Sequence, residues 1–193
     1  MNGTSQTLSE DWLSLVIGLL IFVAALGLLS GTDILGWVVT TAMWTDVTKA
    51  LAPVSKMYAG LGGSGALVAT YIGLLALMTA GAVALRATLG PFMLGFTAVF
   101  WISYLCWIIG SHANLAANTP ADLQKFGISW SLRLTNEGAY IFALIAGLVI
   151  ANVFPRFADA IKDAVRPELY IKIAIVILGG FFAVTAADRK SVV

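Results

Sequence analysis

Asn152, Arg166 and Lys172 are the side chains of this sequence best placed to meet a charged solute. They stand beside two prolines, Pro155 and Pro167, each of which can open a helix. The free N–H groups and macrodipole at a helix N-terminus attract anions. The helices expected to begin at Pro155 and Pro167, with Lys162, Arg166 and Lys172 near them, would therefore meet an anion at a membrane surface. Asn152, Arg166 and Lys172 are the substrate-binding candidates. Asn152 also has an ordinary reading, since a polar residue ending an apolar run just before proline commonly serves as a cap.

Other chemistries lack their residues. His112 is the single histidine, so bis-histidine haem ligation within one copy is excluded, and no second His or Cys lies at ligand spacing for a metal. No Gly-x-Ser-x-Gly elbow supports serine catalysis, and no carboxylate pair falls inside an apolar run. The lone Cys106 reads as a small core hydrophobe. An ionisable residue within a membrane is by default a functional hypothesis. Here, however, Glu137 and Lys172 sit where spans begin and can snorkel to the interface, and Arg86 sits where one ends. Gly60, Gly62, Gly63 and Gly65 cluster at the head of an apolar run, which suits close helix packing or a broken helix that exposes backbone to a solute. No Gly-Lys-Ser or Gly-Lys-Thr follows, so the cluster is not a phosphate loop. No catalytic residue, metal site or cofactor is expected, and the chain is not expected to be an enzyme.

The elements that must carry these residues are hydrophobic helices. Of 193 residues, 60% are hydrophobic and 11% charged, against roughly a quarter charged in soluble domains. Mean hydropathy is +0.93. A water-soluble fold of this size could not hide so much apolar surface, so lipid must be its solvent. A net charge of +1 and the lack of a basic patch interleaved with aromatics argue against a nucleic-acid partner. The polar start lacks the Lys and Arg of a cleaved signal peptide, so the first apolar run is expected to be a retained helix.

A span needs about 20 apolar residues. Five are expected, at residues 12–30, within 57–85, and at 91–110, 138–154 and 169–187. Residues 34–51 are too polar to span. Their apolar positions, Ile34, Trp37, Val38, Trp44, Val47 and Leu51, fall near one helical face, which predicts an interfacial helix anchored by the two tryptophans, with a re-entrant segment as the alternative. In the polar loop 111–137, Thr119, Pro120 and Asp122 predict a helix start. Residues 128–135 alternate like a strand, but an open sheet edge cannot face lipid. Residues 154–166 predict an amphipathic helix, with Phe154, Phe157, Ile161 and Ala164 on one side and Arg156, Asp159, Lys162, Asp163 and Arg166 on the other. The fold class is thus an all-α membrane protein with about five transmembrane helices and interfacial amphipathic helices. The domains expected are a polar N-terminus (1–11), an amino-terminal membrane region (12–137), a core of two spans (138–187) and a tail (188–193). The distribution of Lys and Arg does not settle orientation.

Two runs carry a family likeness. Ala-Leu-Ile-Ala-Gly-Leu-Val-Ile-Ala-Asn-Val-Phe-Pro at 143–155 and Arg-Pro-Glu-Leu-Tyr-Ile-Lys-Ile-Ala-Ile-Val-Ile-Leu-Gly at 166–179 resemble the opening spans of the sulfate exporter family. Ala151 stands where that family has glycine. Glu10-Asp11-Trp12-Leu13, Ala52-Pro53-Val54-Ser55-Lys56 and the run from Phe100 to Trp107 look like the longer members, so the likeness covers most of residues 10–187. The resemblance implies a multi-pass secondary transporter of the inner membrane. It also implies an antiporter-like inverted-repeat fold and export of a small anion such as sulfate by alternating access. Members continue for many more spans, and an inverted-repeat transporter needs its second half to form a midplane site. This chain is therefore expected to be the amino-terminal part and unable to transport alone. Its last six residues, Asp188 to Val193, are the translation of GAT CGG AAG AGC GTC GTG, the start of a widely used sequencing adapter, so the tail is expected to be non-native. The other reading is a non-catalytic helical subunit of a membrane complex. Expected partners are the lipid bilayer, the anion and, in a homo-oligomer, further copies of the chain.

Overall fold

The computed structural model describes residues 9–27, 31–162 and 164–190, with the backbone alone at 136 and 183–190. Helix α1 (Glu10–Leu26) starts at Ser9, whose hydroxyl accepts from the Trp12 N–H, and Glu10 and Asp11 lie at the positive end of its dipole. After a two-stranded hairpin, β1 (Val39–Thr41) and β2 (Leu51–Pro53), helix α2 (Gly62–Ala84) runs 23 residues. Helix α3 (Leu89–Gly110) runs 22 residues. The short helices α4 (Ala113–Ala116) and α5 (Pro120–Phe126) lead to α6 (Gly138–Val153), α7 (Pro155–Ile161) and α8 (Pro167–Lys190). By length and composition α2, with the turn before it, and α3 can each cross a bilayer. The pair α6 and α7, bent by 114°, makes a third, broken span or a re-entrant loop.

Close approaches fix the order of the long helices. Gly18 of α1 lies against Val176 of α8, and Gly180 of α8 against Phe22 of α1, so these two helices run parallel. Gly81, near the end of α2, packs on Leu13 and Ile17, near the start of α1, so α2 runs back. Gly110 at the end of α3 lies against Ala139 at the start of α6, which also makes that pair antiparallel. Missing Cβ atoms allow each approach, which is how helices gain dispersion contacts where no hydrophobic force draws them together. The starts of α1, α3 and α8 thus share one end of the bundle with the tails of α2 and α6 and with α7. The hairpin and residues 111–137 share the other. The core at the first end holds Leu13, Ile17, Met78, Ala82, Phe92, Phe96, Leu169 and Ile173. Down α3 the rings of Phe92, Phe96, Phe100 and Tyr104 stack in turn, with centroids 6.2, 6.3 and 5.8 Å apart. Four residues per step keeps them on one face.

The five expected spans correspond in position to α1, α2, α3, α6 and α8, with ends shifted by a few residues, but among the described residues two, or three with the broken pair α6–α7, are long and apolar enough to cross a bilayer. Ser30, the expected end of the first, lies outside the described residues, as do residues 1–8 of the polar start. The expected helix at 34–51 is corrected to the β1–β2 hairpin with a 3-10 turn at Val47–Lys49. Val39, Thr40 and Thr41 are β-branched and favour extended backbone. The two tryptophans also anchor in different directions rather than along one face. Trp37 lies against Gly73 of α2, where the Val39 N–H donates to the Thr70 hydroxyl at 2.8 Å. Trp44 donates from Nε1 to the Ile108 carbonyl of α3 at 2.8 Å. The segment therefore tucks against α2 and α3, nearer the re-entrant alternative. This satisfies its backbone inside protein rather than against lipid. Residues 128–135 form no strand. The Leu132 and Leu134 N–H groups donate to the carbonyls of Asn114 and Leu115 instead. The helix start at Thr119 is present as a reciprocal capping box with Asp122.

The amphipathic helix expected at 154–166 is shorter, ending at Ile161. Beyond it the chain turns so that Ala164 is buried against Gly95, and the Tyr170 hydroxyl donates to the Ala164 carbonyl at 2.7 Å. Asp163 lies outside the described residues. At the far end α8 continues through Lys190, so the expected foreign tail begins as helix, and residues 191–193 lie outside the described residues. The glycine cluster has a local use as well. Gly62 (φ +64°) takes a left-handed turn from the 3-10 segment Lys56–Leu61 into α2, and Gly63 sits directly on the Leu51 carbonyl.

Candidate functional site

The break between α6 and α7 makes the most distinctive cavity. On α6, Ala143, Gly147 and Ala151 recur every four residues and so share one face. Phe154 leaves helical geometry (φ −124°, ψ 58°), and Pro155 brings no N–H to continue the ladder. The chain turns through 114°, and the segment after α7 packs on Gly95, early in α3. The elbow so formed borders an open cleft of about 370 Å³ between three walls. These are Val99, Ile102 and Ser103 of α3, the small face of α6 with Ile150, and Ala158, Ile161, Lys162 and Val165. A Cβ on Gly147 would meet nothing within 4 Å, so the floor there is open space.

Two polar side chains among the described residues line this space. Among the described residues the Ser103 hydroxyl, midway along α3, makes no hydrogen bond, and Lys162 makes no ion pair. Lys162 can balance one negative charge at the α7 end of this aliphatic space, and Ser103 offers a hydroxyl farther along α3.

The structure distributes the sequence-predicted residues differently. Asn152 is exposed at the end of α6, and its side-chain N–H donates to the Leu148 carbonyl one turn back at 2.7 Å. Arg166 pairs with Glu10 at the start of α1. Lys172 pairs with Asp11 at 2.6 Å and lies 3.8 Å from Glu168. Arg166 and Lys172 thus staple α8 to α1, and the void beside Arg166, about 10 Å³, has room for no more than a water. Asn152 is not joined to them. Lys162, assigned by periodicity to a wet helix face, lines the elbow cavity, and Lys49 and Lys125 line a separate space of about 240 Å³ beside Trp44 and Asp46. Ser103 went unread, though a serine inside an apolar run is a sequence signal for helix contact or solute.

A larger apolar crevice of about 580 Å³ lies between the second half of α1 and α2, beneath Trp37. Its Thr70 hydroxyl is already spent, accepting from Val39 and donating to the Ala66 carbonyl. His112, the residue of interest for metal chemistry, caps α4 through Nδ1, which accepts from the Asn114 N–H at 3.3 Å, and stands edge-on to Trp44 with centroids 4.7 Å apart. Both contacts are those of a cap and a ring pair.

Comparison with known proteins agrees with the lipid-facing surface. The chain is 33% identical, over 197 aligned positions, to a UPF0324 membrane protein of Nitrosomonas europaea. The chain is an all-α membrane protein. The alignment covers 96% of it but 39% of the relative, so the chain spans about two-fifths of that protein's length. No family model and no solved structure matches it. The exposed apolar side chains of this membrane protein, among them Leu94, Leu105, Leu144, Leu148 and Ile175, are therefore surfaces for lipid or for further helices.

Proposed function

We propose that this chain is the amino-terminal part of a secondary transporter of the inner membrane, multi-pass and exporting a small anion, with the α6–α7 elbow as one wall of the solute path. The observation that carries the reading is the 114° break at Phe154 and Pro155, with a cavity in its angle that holds an ammonium and a hydroxyl. Discontinuous helices that break near a cavity are how secondary transporters present polar groups to a solute within the bilayer. The likeness to a membrane protein more than twice as long supports a site completed by further helices. Sulfate is the ion that the sequence resemblance names. On this reading the chain supplies scaffold helices and one half of a gate, and has no enzymatic step.

The test is efflux from liposomes loaded with radiolabelled sulfate or a small carboxylate, carrying either this chain or the longer reading frame from its genome. The longer protein should release anion faster than empty liposomes, with Lys162→Gln slowing it several-fold. If neither protein moves any anion above the empty-liposome leak, the transporter reading is refuted.

A further inference from the structure

We propose that the elbow cavity takes an organic monoanion, a carboxylate carried on an apolar body, in preference to an inorganic dianion. This rests on the elbow being the solute site. The cavity, about 370 Å³, falls in the range of sites that bury organic ligands, roughly 300–1,000 Å³, and is far roomier than a bare ion needs. Among the described residues its walls are aliphatic apart from Ser103 and Lys162. A sulfate dianion stripped of water would present two charges and four oxygens to one ammonium and one hydroxyl, leaving charge and acceptors uncompensated. A monocarboxylate asks for one charge, which Lys162 can balance, and its chain would lie on Val99, Ile102 and Ile150 toward Ser103. The rest of the shape agrees. Lys162 is exposed beyond the end of α7 at one end of the cleft, and Ser103 and Gly147, also exposed, lie farther along α3 and α6. The acid group would sit at Lys162 and the apolar body would run along the cleft over the bare backbone at Gly147.

The experiment is equilibrium binding of radiolabelled hexanoate to the purified chain in lipid nanodiscs, with unlabelled sulfate as competitor. Hexanoate should bind saturably, and sulfate at equal concentration should not displace it. Lys162→Gln should weaken binding by about tenfold, the scale of one charge-assisted hydrogen bond partly open to water, and Lys162→Arg should restore most of it. Gly147→Leu, which fills the floor without touching the charge, should abolish binding. Ala143→Leu, on the same face of α6, gives an independent probe if that variant fails to fold, and should weaken binding severalfold. Sulfate displacing hexanoate at equal concentration would overturn the proposal, as would hexanoate binding indifferent to Lys162→Gln and Ala143→Leu. The two readings separate cleanly. Sulfate efflux that depends on Lys162, with no hexanoate binding, would keep the transporter and remove this inference. Lys162-dependent hexanoate binding without any flux would do the reverse.

Discussion

Substituting Gly18 by alanine should drive α1 and α8 apart. A Cβ at Gly18 would lie 2.7 Å from Val176 Cβ, 2.8 Å from its Cγ1 and 3.2 Å from the Ile173 carbonyl. Carbon atoms rest at about 3.5–4.0 Å, so the helices would have to separate by roughly 1 Å. The loss cannot stay local, because Gly180 meets Phe22 across the same seam. Overpacking of this kind costs about 1–3 kcal/mol. Val176→Gly removes both of the opposing carbons. It weakens α8 on its own account by about 1 kcal/mol, the helix penalty of glycine. The double variant should nevertheless be more stable than the sum of the two single losses, by about 1–2 kcal/mol, within the range seen for contacting pairs. Circular dichroism during titration from mild detergent into dodecyl sulfate gives the unfolding midpoints of all four proteins. Wild-type stability in Gly18→Ala, or strict additivity in the double variant, would refute the parallel pairing and the topology derived from it.

Three further outcomes follow from particular contacts. In a double-mutant cycle of Glu10→Gln and Arg166→Gln, the coupling should stay below about 1 kcal/mol, because the side chains are 43% and 29% exposed and water screens them. The same unfolding titration would measure it. The Asp122 carboxyl is held below its ordinary value by the Thr119 hydroxyl. Its cap on α5 is therefore at full strength above the ordinary carboxylate pKa and is lost only as pH falls through the lower folded value. Thr119→Val should raise the Asp122 pKa in an NMR titration, and an unchanged value would show that the hydroxyl is not the cause. Cys106 is buried at 6% exposure, so maleimide should label it slowly in nanodiscs and fully after denaturation, with equal rates counting against the packing of α3.

Much of the fold could be read from the sequence because run length and apolarity dictate spans: nothing else can be done with 69–85 or 92–110 in lipid. The hairpin could not. Ile34, Trp37, Val38 and Trp44 fall on one face of an imagined helix, yet Trp37 is held by α2 and Trp44 by α3, and periodicity carries no information about which neighbour takes a side chain. The run Val38, Val39, Thr40, Thr41 was the opposing signal. At the candidate site the failure was of the same kind. Arg166 and Lys172 looked available because their acids, Glu10 and Asp11, lie 156 and 161 positions away. Lys162 looked like a solvated surface charge because its cavity exists only after the turn at Pro155.

The parallel pairing of the first and last long helices has a consequence for biosynthesis. Glu10 must wait for 156 further positions to be translated before its counter-ion exists. At about 5–20 residues per second that is on the order of 8–30 s. Throughout this interval the leading helix holds its place in the membrane with two carboxylates unneutralised and Gly18 facing no neighbour. A ribosome stalled just short of codon 166 should therefore leave α1 exposed to membrane proteases, and release of α8 through Gly180, which brings Val176 to Gly18 and Gly180 to Phe22, should be what protects it.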